Sequence, residues 1–152
     1  MNIKILGALA AMTLLAACSD QAATTTAPVS SGPVPGSQAD LVANVGDRVF
    51  YDLNRSTLRS DARTTLERQA AWLAKWSANN VQVAGNCDER GTQAYNIALG
   101  NRRASAARDF LVAKGVAAGR ITTISFGKDR PTALGSNEQA WSQNRNAITS
   151  VR

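Results

Sequence analysis

Apolar and polar positions follow two different periods along this chain, and each change of period marks an element. Arg48 to Tyr51 reads as a first strand, set off by Gly46 before it and Asp52 after it. From Ser60 to about Ala78, the residues Ala62, Leu66, Ala70, Leu73 and Ser77 recur three or four places apart. That spacing predicts a helix with one buried face, with Ser60 available as its cap. Trp72 and Trp76 lie on it and read as cover for the core edge rather than as a ligand platform. Asn79-Asn80 breaks the helix, and Val81 to Asn86 predicts a second strand. A second helix is predicted from about Thr92 to Lys114, with Ile97, Ala104, Ala107 and Leu111 inward and Gly115 as its stop. Arg120 to Phe126 reads as a third strand, Glu138 to Gln143 as one short helical turn, and Asn146 to Val151 as the last strand. The order βαβαβ(α)β predicts an α+β sandwich: a mixed four-stranded sheet with both long helices packed on one side.

The start of the chain has a different pattern. Lys4 precedes an apolar run from Ile5 to Leu15, about 11 residues long. A bilayer span needs roughly 20 residues, whereas a run of this length suits the core of a secretory signal. It ends in Leu15-Ala16-Ala17-Cys18, small residues before a cysteine, the pattern of a bacterial lipoprotein cleavage site. The expectation is a signal peptide over 1–17 and lipidation at Cys18; an ordinary signal peptide with an incidental cysteine is the plainer alternative. Two or more acyl chains anchor a protein stably where one does not. Ser19, in place of an Asp, favours sorting to the outer membrane, with the domain on the periplasmic side. Residues 18–40 are rich in Ala, Thr, Ser, Gly and Pro and are expected to form the lipidated cysteine plus a disordered linker, leaving a folded domain over 41–152. The 22 residues from Ser19 span roughly 25 Å as a coil and roughly 75 Å stretched, enough to reach material near the membrane face.

Composition removes whole classes of chemistry. The chain has no histidine and two cysteines. Ser-His-Asp and Cys-His catalysis and most zinc sites are therefore excluded, no metal is expected and no cofactor is implied. With Cys18 acylated, Cys87 is the one remaining thiol; it reads as a partly buried structural residue, since a nucleophilic role would lack the usual base. The formal charge is +6, about +5 once Lys4 is removed, and arginine supplies most of it. The arginines are spread without a clustered patch or interleaved aromatics, so no nucleic-acid partner is expected. Attraction to acidic wall material or lipid headgroups, over a mostly solvated surface, accounts for the charge.

The densest chemistry lies in Gly85–Arg103, GNCDERGTQAYNIALGNRR. A strand runs into a turn carrying Asp88, Glu89, Arg90 and Gly91, and a helix then brings Asn96, Leu99 and Arg103 behind it. A carboxylate, an amide and a guanidinium thus surround one strand–helix corner, where the free N–H groups of a helix start also point outward. Such a corner suits a small ligand bearing both an ammonium and a carboxylate. Plainer roles stand beside this one: Asp88 capping the helix or pairing with Arg90, Arg103 in a structural ion pair, and Glu89 and Arg90 merely solvated.

These motifs carry a family resemblance. Cys87-Asp88-Glu89-Arg90-Gly91, the Tyr95-Asn96 to Leu99-Gly100 run and Arg102-Arg103-Ala104, with Val49-Phe50-Tyr51-Asp52 before them and Ile124–Gly127 and Ala133–Glu138 after them, resemble OmpA-like domains over about residues 45–150. Within that family they are most similar to the lipoprotein branch of the Tol–Pal envelope system. The resemblance implies non-enzymatic binding of peptidoglycan through the meso-diaminopimelate of its stem peptides. It places Asp88 against the ligand ammonium and Arg103 against its carboxylate, with Asp52 and Asn96 as further contacts and Leu53 and Leu99 as an apolar wall. It also implies the outer membrane, TolB and other Tol proteins as partners, and a role in envelope integrity and division. The chain departs from the branch at Asn86, where a histidine is usual, and at Asn146, where an arginine is usual, while Arg145 is kept. Two rivals follow: an OmpA-like wall anchor of another envelope machine, and a wall hydrolase using Asp88 and Glu89 as paired carboxylates. Neighbouring residues in a turn are poorly placed for the second, because glycoside hydrolysis sets its carboxyls roughly 5–9 Å apart across one bond.

Overall fold

The computed structural model describes residues 32–152, so the signal, Cys18 and most of the expected linker lie outside the described residues. The described part opens with a short helix, α1 (Gln38–Asp40), which continues into a π-helical turn over Leu41–Val45. Then come β1 (Arg48–Phe50), α2 (Ser60–Lys75), β2 (Val81–Asn86), α3 (Gln93–Ala113), β3 (Ile121–Gly127), α4 (Glu138–Asn144) and β4 (Asn146–Val151). The sheet order is β1-β4-β2-β3. β2 and β3 run parallel, and β4 lies antiparallel to both β1 and β2. The α+β class, the mixed four-stranded sheet and the two long helices on one side stand as the sequence pattern predicts.

The core explains the arrangement. Inward positions of the strands (Val49, Val81, Val83, Ile121, Ala147) meet Ala62, Leu66, Ala70 and Leu73 of α2 and Ala104, Ala107 and Leu111 of α3. Apolar burial of this kind supplies the driving force, about 25 cal/mol per Å². α3 comes closest to the sheet at Gly100: a Cβ on Gly85 would sit 1.8 Å from the Gly100 carbonyl oxygen. That contact brings the helix backbone onto β2, so everything on the first turns of α3 is fixed relative to the end of β2. Arg120 ends α2 by donating from its guanidinium to the carbonyls of Leu73, Trp76 and Asn79, satisfying acceptors that a helix end leaves free.

Two boundaries differ from the sequence reading. The fold takes in residues that composition assigns to the linker. Gly36 packs beneath the Trp76 ring, its carbonyl accepts from Asn79 Nδ2 at 2.8 Å, and Asp40 accepts from Trp72 Nε1 at 2.9 Å. These anchors are polar caps and a glycine, which hydrophobic periodicity does not register. Ser60 is also the first helical residue rather than the cap; Arg59 holds that position, accepts no capping bond from a helix N–H and instead pairs with Asp61 in the first turn. Trp72 and Trp76 belong to the packing, as their spacing suggests.

The glycine contact yields a stability prediction. Gly85→Ala should cost about 3 kcal/mol through overpacking of backbone on backbone. Gly115→Ala, at φ +97° but with nothing within 4 Å of its added Cβ, should cost only about 1 kcal/mol. Urea unfolding of the two variants checks the order.

Candidate functional site

The corner forms where β2 ends and α3 begins. Thr92 caps α3 by accepting from Tyr95 N at 3.2 Å. Gly91 takes φ +89° to let the turn close. The turn is pinned through its carbonyls: Asn96 Nδ2 donates to Arg90 O at 2.8 Å and Thr92 O at 3.1 Å, and Lys128 Nζ donates to Gly91 O at 2.7 Å. The Asn96 side chain therefore shapes the turn, and the residue is buried.

Arg103 lies beneath this corner and is 0% exposed. Its guanidinium donates to three carbonyls: Nε to Arg55 at 2.9 Å, Nη1 to Asn86 at 2.8 Å and Nη2 to Asp52 at 3.1 Å. Tyr51 lies against it, with the guanidinium 5.2 Å from the ring centre, and the Tyr51 hydroxyl donates to the Arg103 carbonyl at 2.8 Å. No carboxylate pairs with Arg103 among the described residues, and burial pushes its pKa down. The structural ion pair considered for Arg103 is absent there; backbone dipoles hold the cation instead.

Asp88 has the opposite surroundings. It is 4% exposed and accepts from Arg90 Nη2 at 2.7 Å, from Arg90 Nε at 3.1 Å and from Arg145 Nη1 at 3.3 Å. The Arg90 backbone N–H adds a fourth contact at 3.2 Å. Burial pushes the Asp88 carboxyl up, but the bonds from Arg90 and Arg145 outweigh it and hold the group below its ordinary value. The pairing with Arg90 expected as a plain alternative is thus present, and Arg145, whose side chain is also buried, joins it. Arg145 bridges further, to Tyr51 O at 3.1 Å and Glu138 Oε1 at 2.5 Å.

Around these two lie the remaining candidates. Asp52 is exposed, 3.6 Å from Arg59, and faces Arg103 only through its carbonyl. Glu89 is exposed but not merely solvated: it accepts from Trp141 Nε1 at 3.0 Å. Arg90 stacks over the Trp141 ring at 4.0 Å. Leu53 is 48% exposed and, with Asn54, Arg90, Gly91 and Tyr95, lines a groove of about 310 Å³. Leu99 is 3% exposed, as deeply placed as Asn96 and Asp88, and Tyr95 adds apolar surface beside Leu53. Cys87 is buried, its thiol donates to Asn96 O at 3.4 Å, and burial raises its pKa, which suits a structural thiol. Tyr95, Trp141, Glu138 and the bridging role of Arg145 escape sequence reasoning. The signals available were an aromatic on the first turn of α3 and the Asn144-Arg145-Asn146 run, neither of which names its partner.

Comparison with known proteins bears on the family and the fold. Residues 50–145 match the model of the OmpA family. The chain is 55% identical over 117 residues to the peptidoglycan-associated lipoprotein of Mesorhizobium japonicum, covering 77% of this chain and 70% of that protein. It is 37% identical over 147 residues to the same-named protein of Haemophilus influenzae, covering 97% and 94% of the two chains. The crystal structure of the peptidoglycan-associated lipoprotein from Burkholderia pseudomallei superposes with a TM-score of 0.68 at 35% identity, over 70% of this chain and 90% of that one. The C-terminal domain of Helicobacter pylori MotB shares the fold, with a TM-score of 0.65 at 18% identity over 70% and 84% of the chains.

Because the folded Asp88 carboxyl titrates below its unfolded value, its ion pairs stabilise the fold above about pH 4, and that stability is lost as pH falls through the folded pKa. Asp88→Asn should therefore cost about 2–3 kcal/mol at pH 7, with the gap to the native chain closing at acid pH. Urea unfolding at pH 7 and pH 3 measures both gaps.

Proposed function

The chain belongs to the OmpA family, in its peptidoglycan-associated lipoprotein branch, and from that premise we propose that the corner built on Asp88 and Arg103 binds peptidoglycan through meso-diaminopimelate. The observation that carries this reading is the unequal treatment of the two charges. Asp88 already has two cations, whereas the Arg103 guanidinium is buried with carbonyls alone. An arginine offers five N–H donors, of which three are committed here. A ligand carboxylate would take the remaining donors with charge-assisted bonds and neutralise a cation that is expensive to bury.

The ligand ammonium would lie toward Asp88, sharing its carboxylate with Arg90 and Arg145. Asp52, Asn96, Glu89 and Arg90 frame the approach, with Leu53 and Leu99 as its apolar wall and Tyr95 beside Leu53 in the groove. Because Arg103 is 0% exposed, the ligand reaches it only when the segment that carries the Asp52 and Arg55 carbonyls gives way.

On this reading the protein is a non-enzymatic tether. Lipidated at Cys18 and anchored in the outer membrane, it would hold that membrane to the wall. It would act within the Tol–Pal system, with TolB and other Tol proteins as partners, in envelope integrity and cell division. Hydrolysis is disfavoured on chemical grounds: a carboxyl held below its ordinary pKa by two arginines is a poor general acid at neutral pH.

Co-sedimentation of the chain from Ser19 onward with diaminopimelate-type sacculi tests the proposal; that chain holds the whole compact unit Ser31–Arg152. Wild-type protein should pellet, and free diaminopimelate should release it. Arg103→Lys, which keeps the charge but loses the fork, should weaken binding roughly 10- to 100-fold, with circular dichroism confirming the fold. Supernatant-bound wild type overturns the reading. Arg90→Gln, which removes a half-exposed competitor from Asp88, should tighten binding of free diaminopimelate roughly two- to fivefold by calorimetry.

A further inference from the structure

The face of the sheet turned away from α2 and α3 carries a second cleft that the wall-binding reading does not use. It measures about 190 Å³ and is lined by Ala84, Asn86, Phe126, Arg130, Ile148 and Ser150. Ala84 and Ile148 are direct cross-strand partners, so they form one apolar floor.

Three features of this cleft have no purpose in the core. The first is an unpaired acceptor. Asn86 is 3% exposed, and its Nδ2 donates to Ala84 O at 3.3 Å and to Asn146 Oδ1 at 2.8 Å, while its Oδ1 has no donor among the described residues. The carboxamide cannot simply turn over. Asn146 Nδ2 is itself committed to Thr132 Oγ1 at 3.0 Å and Gln143 O at 2.7 Å, so Asn146 presents only its oxygen to Asn86. A buried acceptor without a donor costs about 1–3 kcal/mol. The second feature is a register shift between Gly85 and Asn86: Gly85 pairs with Ser125 and Asn86 with Gly127, leaving Phe126 as the extra residue. A bulge re-aims the side chain it carries. The third is Arg130. A turn closed by Asp129 N to Phe126 O at 3.0 Å folds the chain back, and the Arg130 guanidinium lies 3.7 Å from the Phe126 ring centre. This places an exposed cation at the mouth of a cleft with an apolar floor and a buried acceptor.

We propose that this cleft binds the free carboxyl end of a short peptide with small side chains. The carboxylate would pair with Arg130, the last amide N–H would donate to Asn86 Oδ1, and a methyl side chain would rest on Ala84 and Ile148. Ser150 lies two positions beyond Ile148 on β4, at the end of the floor opposite Asn86. The site is separate from the Asp88–Arg103 corner but touches it through one residue, because the Asn86 carbonyl accepts from Arg103 Nη1. The proposal does not depend on wall binding at that corner.

The test is titration of the isotope-labelled chain from Ser19 onward with acetyl-alanyl-alanine, followed by backbone amide shifts. A ligand of this size at ordinary efficiency binds at about 1 mM. Shifts should saturate at Ala84, Asn86, Phe126 and Ser150. Arg130→Ala, on an exposed residue outside the Asp88–Arg103 corner, should weaken binding roughly five- to tenfold, as should capping the ligand carboxylate as an amide. The ester analogue acetyl-alanyl-lactate, which lacks the last N–H, should lose a similar factor through its failure to satisfy Asn86 Oδ1. Comparing D,D with L,L ligands separates a wall-stem terminus from a protein terminus. Absence of shifts at about 10 mM, shifts confined to 88–96, or indifference to all three changes would overturn the proposal. Sacculus pelleting should be unchanged in Arg130→Ala, which keeps this result distinct from failure of the wall-binding reading.

Discussion

The structure around the corner depends on one buried cation. Arg103 sits on α3, yet its guanidinium organises two other segments: the stretch after β1, through the carbonyls of Asp52 and Arg55, and the end of β2, through the carbonyl of Asn86. A charge placed in such surroundings is costly, and the effective penalty is several kcal/mol even after relaxation. Three carbonyl dipoles offset part of that cost without cancelling the charge. The corner is thus held in shape by an interaction that leaves a net positive field inside it. Had a carboxylate of the chain closed the pair, the same residue would stabilise the fold better and attract an anion less.

Asp88 completes the logic by being held away from Arg103. Two other arginines occupy it, one buried and one half-exposed. Arg145 comes from the junction of α4 and β4, and Arg90 is held outward by the Trp141 ring and by Glu138 at 3.9 Å. The short helix α4 therefore has a task beyond connecting strands. It supplies the aromatic shelf, the acidic counterweight and the arginine that keep Asp88 ionised and oriented. The two opposite charges of the corner are kept from neutralising one another.

Most of the fold was legible because it rests on periodicity. Asn146–Val151 as the last strand and the span of α3 follow from apolar spacing and from the Thr92 and Gly115 signals. The register within the sheet and the segment from Gly36 were not, because polar caps and a glycine under a tryptophan ring have no period. The site was half legible for a related reason. Asp88, Asn96 and Arg103 share one short stretch, so a strand–turn–helix reading brings them together. Their partners do not: Arg145 meets Asp88 across 57 positions and Arg103 meets the Arg55 carbonyl across 48.

The two departures from the lipoprotein branch, Asn86 and Asn146, resolve into one. Read along the chain they are 60 positions apart and look like independent losses of basic groups; in the structure they face each other across the β2–β4 ladder at 2.8 Å. An imidazole and a guanidinium at that separation would bring two cations together below the imidazole pKa. A pair of amides replaces that with a single neutral donor–acceptor bond and passes the remaining N–H groups to Gln143 and Thr132. Changing Asn146 alone to arginine would remove the acceptor that Asn86 Nδ2 uses, and changing Asn86 alone to an apolar residue would leave Asn146 Oδ1 without its donor. The two asparagines are therefore coupled through one bond. The exchange also leaves the Asn86 carbonyl on Arg103, which is why two substitutions so near the corner need not disturb the cation on which it is built.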